Sequence, residues 1–253
     1  GFQGLADPSS TVTNLYGSLA GQYAGQDNYF ALQEVTSDEH LIPTRGGDWG
    51  DNGLWRVLHT HDWNGQHSFI VNVFQLWNGN QLQASQVLDS RSNPSTTNIG
   101  DASFIRAYSM WVILDNFGQV PYRDTELPSS SVPEVLAGQA ALDFILADID
   151  TAIANAPATP AGSGEANLRA SKAAARYLKA KVLLNKHIYL GTAPEATQVP
   201  ERFEVDWVDV QCDERVEKPV HGLLRNTPQT ESSTPRDHAP LPVLPFESVA
   251  EED

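Results

Sequence analysis

The chain has 253 residues, of which 40% are hydrophobic, so it is long enough for one large domain or two small ones. Its formal net charge of −16 argues against nucleic acid and anionic membrane surfaces as partners, because both need clustered lysine and arginine, whereas a neutral sugar carries no such penalty. The single cysteine, Cys212, excludes an intrachain disulfide and a cysteine-based metal site.

Two amphipathic helices are predicted in the first 90 residues, and neither contains the 18 consecutive apolar residues of a membrane span. The first covers residues 8–23, with Ser9 and Ser10 as candidate N-caps. Its apolar face consists of Val12, Leu15, Tyr16 and Leu19. The second covers residues 67–88. Its apolar residues at helical spacing are Phe69, Val73, Leu76, Trp77, Ala84 and Leu88.

The next two predicted helices have clear boundary residues. The third covers residues 101–117 and ends at Gly118, because glycine readily adopts the left-handed conformation that ends helices. Pro121 then prevents the helix from continuing. Arg106 lies within its apolar stripe, which indicates a buried ion pair. The fourth is predicted to begin at the capping box of residues 131–134 and to end near residues 155–157.

The fifth predicted helix covers residues 171–191, with Ser171 as its cap. We expect its buried face to be Ala173, Ala174, Tyr177, Ala180, Leu184 and Ile188. Strand-like alternation is scarce before residue 191, so the fold class is predicted to be all-α. Helices of this length can pair as in tetratricopeptide proteins, although no 34-residue repeat is present.

Residues 192–253 differ in composition from the rest of the chain. They hold eight of the 16 prolines and 14 of the 32 acidic residues, without helical periodicity. Residues 203–210 alternate like a strand, whereas residues 227–253 are rich in proline, serine, threonine and glutamate. We therefore predict a helical domain over residues 1–191 and a largely disordered tail over residues 192–253.

Residues 48–64, here called the tryptophan loop, hold three of the six tryptophans. Sugars present apolar faces that stack on aromatic rings, and a rim of hydroxyls that bind carboxylate and amide groups. The loop supplies both kinds of group, and its candidate ligand-binding residues are Trp49, Asp51, Asn52, Trp55, Asp62, Trp63 and Asn64. The competing interpretation is that the tryptophans anchor a long loop onto the helices.

Other chemistries have weaker support in the sequence. His59, His61 and His67 suggest a metal site, but no matching further ligand is evident. A carboxylate pair for glycoside hydrolysis would have to come from Asp38 with Glu39, or from Asp48 with Asp51. No nucleophile elbow, phosphate-binding loop or zinc-protease motif occurs, so we predict no catalytic residues, no metal and no cofactor.

Three segments resemble, in chain order, the SusD/RagB family of nutrient-uptake lipoproteins. Residues 101–121 (DASFIRAYSMWVILDNFGQVP) resemble the family's most specific helix, with Arg106 after the apolar pair and Gly118 and Pro121 at its end. Residues 171–185 (SKAAARYLKAKVLLN) and residues 31–39 (ALQEVTSDE) are similar to two further family segments. The resemblance covers residues 10–191, about the N-terminal half of a family member.

This resemblance implies a SusD-like bundle of paired helices and a non-catalytic protein that binds oligosaccharide or polysaccharide at the outer-membrane surface. It further implies an N-terminal lipid on a cysteine upstream of Gly1 and a SusC-like, TonB-dependent transporter as partner, which receives the nutrient. Two alternatives stay open at this point. One is a helical scaffold that binds the transporter and takes a peptide or other ligand, and the other is a glycoside hydrolase.

Overall fold

The computed structural model describes residues 1–37, 39–158 and 169–194. This part of the chain is mainly helical, with one short β-hairpin. The helices are α1 (Pro8–Ala24), α2 (Asn28–Glu34), α3 (Leu54–His59), α4 (Ser68–Leu88), α5 (Thr96–Phe117), α6 (Gly138–Asn155), α7 (Lys172–Leu184) and α8 (Lys186–Leu190). The strands are β1 (Gln119–Tyr122) and β2 (Glu134–Ala137). The predicted helical fold class is thus confirmed, whereas the predicted tail lies, from residue 195 onward, outside the described residues.

The helix starts follow capping rules, but not always with the predicted residue. Ser171 caps α7 as predicted, because its side chain accepts a hydrogen bond from the backbone N–H of Ala174. The cap of α1 is Asp7, whose carboxylate accepts from the N–H of Ser10 at 2.9 Å. Ser9 and Ser10 lie within the helix, since Pro8 already occupies its first turn.

The predicted fourth helix is wrong at its start. Glu134, predicted as the last residue of the capping box, and residues 135–137, predicted as helix, form β2 and pair antiparallel with β1. Gly118, at φ 71°, ends α5 as predicted and turns the chain into β1, whose Val120 pairs with Leu136. Both of these side chains are buried against the main core, so the hairpin is held by packing as well as by its ladder. α6 then begins at Gly138.

Helices α4, α5 and α6 form the centre of the structure, with α5 in contact with both neighbours. The main core includes Trp77 from α4, Met110 and Ile113 from α5, and Ile145 from α6. Gly100 lets α5 approach the end of α6, because a Cβ there would lie 2.9 Å from the carbonyl carbon of Asn155. Close packing of long helices thus accounts for most of the buried apolar surface.

The predicted ion pair of Arg106 is present in this core. Its Nε donates to one oxygen of Asp148 and its Nη2 to the other, both at 2.7 Å. A third hydrogen bond runs from Nη1 to the hydroxyl of Ser85 at 3.2 Å. The guanidinium therefore joins α5 to α6 and α4 through a bidentate, largely buried interaction.

The predicted buried face of the fifth helix is wrong. The helix breaks at Asn185 into α7 and α8, and its buried residues are Ala175, Leu178 and Val182. The predicted residues Tyr177 and Leu184, together with Ile188, are exposed instead. α7 carries apolar residues on two opposite sides, and the pattern alone does not tell which side the core covers.

None of the described helices is long and apolar enough to cross a membrane.

Candidate functional site

The tryptophan loop lies between α2 and α4 and divides into two halves with different surroundings. The first half, from Trp49 to Trp55, packs on Phe69 of α4. The second half, around Trp63 and Asn64, borders a cleft at the end of α5. The short helix α3, which begins at Leu54 and contains Trp55, connects the two halves.

Trp55 is the packing residue of the first half. It is 4% exposed, and its ring lies 5.0 Å from that of Phe69 and 5.8 Å from that of Trp49, centroid to centroid. Its indole N–H donates to a carboxylate oxygen of Asp51 at 2.6 Å. The indole therefore offers no face to a ligand, and Asp51 is occupied by an internal hydrogen bond. For this pair the anchoring interpretation fits the structure.

The first half also holds an unusual backbone. Trp49, Asp51 and Asn52 have φ values of 59°, 38° and 54°, in the left-handed region that side chains other than glycine rarely adopt. A pair of backbone hydrogen bonds between Arg45 and Asp48, at 3.0 and 2.9 Å, closes the turn before them. The turn leaves Trp49 partly exposed, at 39%, with its edge against Trp55.

The second half presents Trp63, which is also 39% exposed. Its ring meets the imidazole of His61 edge to face at 5.1 Å, and the Nε2 of His61 lies 2.7 Å from the backbone oxygen of Thr36. The side chain of Asn64 accepts from the N–H of Gln66 at 2.9 Å. These contacts fix the orientation of the indole while leaving part of it open to solvent.

The cleft beside Trp63 has a volume of about 570 Å³. Its lining comes from the loop and the end of α5, together with residues of α2, the turn after α2, and α4. Its lining residues are Leu32, Thr36, Trp63, Asn64, Gly65, Ile70, Asp115, Asn116 and Phe117. The cleft thus combines a partly exposed aromatic ring with amide, hydroxyl and carboxylate groups.

The polar groups of α5 in this cleft are held by hydrogen bonds. Asp115 accepts from the hydroxyl of Tyr189 at 2.8 Å, and that hydroxyl accepts from the indole N–H of Trp111. Burial raises the pKa of Tyr189, so its hydroxyl stays protonated and donates at neutral pH. The side-chain oxygen of Asn116 accepts from the amide of Gln33 at 3.1 Å. Among the described residues that line the cleft, only Asp115 has a charged side chain. Its negative charge disfavours anionic ligands.

Sequence reasoning identified only part of this cleft. It named Trp63 and Asn64, which line the cleft, and Asp62, which is exposed beside them. It missed Asp115 and Asn116. Their signal was a polar pair at the end of an otherwise apolar helix, directly before its stop. The structure does not place Trp49, Asp51, Asn52 or Trp55 in the cleft lining.

The histidines make structural contacts. His61 and His67 each place Nε2 at hydrogen-bonding distance from a backbone oxygen, of Thr36 and Leu54 respectively. Within the described residues, no group of three histidine, cysteine, aspartate or glutamate side chains is arranged to hold a metal ion. Of the carboxylates considered for hydrolysis, Asp51 is bound to Trp55 and Asp38 lies outside the described residues.

No protein-family model and no curated protein matches the chain. Among solved structures, it is similar to surface glycan-binding protein A from Bacteroides fluxus, with a TM-score of 0.55 and 20% sequence identity. The match covers 71% of this chain and 40% of that one, so the chain spans less than half of its neighbour. A second match, to BT4246, has a TM-score of 0.49 and 20% identity, and covers 71% of this chain and 31% of that one.

The chain has a SusD-like fold. The likeness agrees with the family resemblance of residues 101–121 and 171–185, which form most of α5 and α7. At 20% identity the likeness is one of fold. The SusD-like fold places the tryptophan loop and the end of α5 side by side.

Proposed function

We propose that this protein binds neutral glycans, without catalysis, in the cleft between the second half of the tryptophan loop and the end of α5. The observation that carries the proposal is the position of Trp63, a partly exposed indole beside Asn64, Asp115 and Asn116. An aromatic ring with amide and carboxylate groups at its edge suits a sugar, which has an apolar face and a rim of hydroxyls.

Charge supports a neutral ligand. Asp115 would accept hydrogen bonds from sugar hydroxyls but would repel a uronate or sulfate group. The chain's net charge of −16 acts in the same direction at longer range.

The number of carboxylates in the cleft favours binding over hydrolysis. Glycoside hydrolases of most families use a pair of carboxylates on either side of the scissile bond. Among the described residues that line this cleft, Asp115 is the one carboxylate, and it is engaged by Tyr189. Release of reducing sugar from any polymer that binds would contradict this part of the proposal.

For the whole protein we propose a position at the outer surface of a Gram-negative cell, where it would pass oligosaccharide to a TonB-dependent, SusC-like transporter. The support is the SusD-like fold, the naming of its structural neighbour as a surface glycan-binding protein, and the sequence resemblance. The scaffold alternative, with a peptide as ligand, predicts that no polysaccharide is retained by the tryptophan loop.

The test is affinity electrophoresis of the full chain through gels that contain neutral polysaccharides, with anionic polymers as a comparison. Trp63→Ala and Trp49→Ala form a matched pair, because both indoles are 39% exposed but only Trp63 lines the cleft. We expect retardation by a neutral polymer, weakened roughly tenfold in Trp63→Ala, and unchanged in Trp49→Ala.

Two results would contradict the proposal. Retention that is lost in Trp49→Ala but kept in Trp63→Ala would place the site in the first half of the loop. A wild-type chain that is folded by circular dichroism, yet is not retarded by any polysaccharide, would favour the scaffold.

A further inference from the structure

The chain contains three asparagine–glycine dipeptides, and one of them lies in the cleft beside Trp63. They are Asn52-Gly53, Asn64-Gly65 and Asn78-Gly79. Asparagine is prone to deamidation when glycine follows it, because glycine has no Cβ to hinder the attack of its nitrogen on the preceding side-chain amide. The three dipeptides have different surroundings in the structure, so they should react at different rates.

Asn78 and Gly79 are protected, because they lie inside the long helix α4. The side-chain amide of Asn78 donates to the backbone oxygen of Phe74 at 2.7 Å, and its oxygen accepts from Gln81 at 2.8 Å. Both bonds hold the side chain along the helix, and the N–H of Gly79 belongs to the helical hydrogen-bond ladder. Attack at Asn78 would therefore require α4 to open locally.

Asn52 and Gly53 lie in the first half of the tryptophan loop, where the nitrogen of Gly53 is already engaged. Its N–H donates to the backbone oxygen of Gly50 at 2.6 Å. Asn52 is exposed, so water reaches its side chain. The hydrogen bond of Gly53 must nevertheless break before this nitrogen can attack, which slows the reaction at Asn52.

Asn64 and Gly65 are both exposed and are arranged differently. None of the backbone hydrogen bonds between described residues uses the N–H of Gly65. The side-chain oxygen of Asn64 accepts from the N–H of Gln66 at 2.9 Å, which closes a turn that contains the Gly65 nitrogen. The same hydrogen bond would stabilise the negative charge that forms on this oxygen during the attack. The turn thus supplies an available nitrogen, a fixed amide and a donor for the intermediate.

We propose that Asn64 is a site of spontaneous deamidation, through which the cleft exchanges a neutral amide for a carboxylate as the protein ages. The Gly65 nitrogen loses its proton to water and forms a bond to the Cγ of Asn64, and the side-chain nitrogen takes up a proton and leaves as ammonia. Water then opens the resulting succinimide at either of its carbonyl carbons. One product is aspartate. The other is isoaspartate, in which the main chain is longer by a methylene group.

The consequence for the cleft rests on the proposed function. The oxygen of Asn64 is engaged by Gln66, so its amide N–H groups are what it can offer to a sugar. A carboxylate only accepts hydrogen bonds, and its charge adds to that of Asp115 in the same lining. Both products should therefore bind neutral polysaccharide more weakly, by roughly fivefold or more.

The experiment incubates the full, folded chain at mildly alkaline pH, digests it under acidic conditions, and quantifies aspartate and isoaspartate at each dipeptide by mass spectrometry. Because the three dipeptides are identical and share one chain, each is a control for the others. Asn52 should react roughly fivefold more slowly than Asn64, as one hydrogen bond must break. Asn78 should react roughly tenfold more slowly or less, since α4 must open. In denaturant the three rates should converge.

Two variants connect the reaction to binding. In Gly65→Ala, the new Cβ meets no atom within 4 Å, and the φ of Gly65 lies outside the left-handed region, so the fold should be unchanged. The methyl group hinders the attack, so deamidation at Asn64 should slow severalfold while that at Asn52 stays the same. On incubation the wild type should lose polysaccharide retention, and Gly65→Ala should keep it. Asn64→Asp, which has the aspartate product from the start, should be retained weakly without incubation.

Two outcomes would overturn the proposal. Equal rates at the three dipeptides of the folded chain, or a faster reaction at Asn52 than at Asn64, would show that the turn does not promote deamidation. Full retention of Asn64→Asp by the polysaccharide that retains the wild type would overturn the consequence for the cleft. A wild-type chain that binds no polysaccharide would contradict the proposed function instead, because the order of the three rates does not depend on a sugar.

Discussion

The central helices and the tryptophan loop use the same residue types for different purposes. In α4, Trp77 is fully buried and contacts the rings of Tyr29 and Tyr108. In the loop, Trp49 and Trp63 are each 39% exposed, and three residues other than glycine in its first half adopt positive φ. A packed core avoids both strained backbone and open aromatic rings, whereas a loop can hold them at its surface. Substitutions in the core should therefore change stability, and substitution of Trp63, which lines the cleft, should change binding.

The largest expected effect is that of Trp77→Ala. Removal of a fully buried indole leaves a cavity among α1, α2 and α5, so we expect a loss of about 4 kcal/mol in the free energy of unfolding. Trp63→Ala should lose less than about 1 kcal/mol, because much of its ring already contacts water. Denaturant unfolding followed by circular dichroism measures both. Equal losses of unfolding free energy in Trp77→Ala and Trp63→Ala would contradict the proposed difference between core and loop.

Next in size is Arg106→Met, which leaves Asp148 buried without its partner. We expect a loss of about 3 kcal/mol at neutral pH. Burial raises the pKa of Asp148, and the hydrogen bonds from Arg106 oppose that rise. In the variant the folded state should take up a proton at a pH where the unfolded carboxyl is still ionised. The loss should therefore shrink as the pH falls toward about 4.

The control for this prediction is the double variant Arg106→Met with Asp148→Leu. It removes both charges and fills the space with apolar groups, so it should recover most of the lost stability. A deficit that stays constant between pH 7 and about pH 4 would show that packing of the arginine side chain, whose guanidinium carbon lies 5.0 Å from the ring centre of Phe144, is the main contribution.

The central helices and the tryptophan loop differ in how much of their structure the sequence predicts. In the core, helical periodicity predicts the bounds of α1 and α4 to within one residue and the end of α5, whereas α5 begins at Thr96 and not at the predicted Asp101. The ion pair of Arg106 follows from a charge in an apolar stripe. The capping box of residues 131–134 fails, because pairing with β1 satisfies the same backbone groups in an extended conformation. Helix-capping propensity depends on residues next to each other in the chain, whereas a strand forms only if another segment of the chain pairs with it.

The loop shows a different limit. Composition predicts that residues 48–64 hold aromatic and polar groups, but it does not tell which tryptophan is buried. Trp55 is buried because Asp51 satisfies its N–H and Phe69 packs on its ring. The residues of α5 that line the cleft together with Trp63 are about 50 residues away from it in sequence. Only the fold brings Asp115 and Asn116 to the loop.

A smaller effect is expected when Asp51 is replaced by alanine. The buried N–H of Trp55 would lose its acceptor, at a cost of about 1–2 kcal/mol. Asp51→Asn keeps an oxygen acceptor and tolerates the left-handed backbone, so it should retain most of the stability. Glycan retention should be the same for both variants, since Asp51 is not part of the cleft lining. Loss of retention in Asp51→Ala, with Trp63→Ala unaffected, would return the site to the first half of the loop.

The smallest effect should come from Tyr189→Phe, which links the two regions. The hydroxyl of Tyr189 accepts from Trp111 in the core and donates to Asp115 in the cleft, so its loss frees the carboxylate without opening a large cavity. We expect polysaccharide binding to weaken by about 1 kcal/mol, roughly fivefold. Tyr177→Phe, on the exposed side of α7, is the control and should bind as the wild type does. If Tyr189→Phe binds normally while Trp63→Ala does not, the hydrogen bond from Tyr189 to Asp115 does not contribute to sugar recognition, and the core contributes only a rigid support.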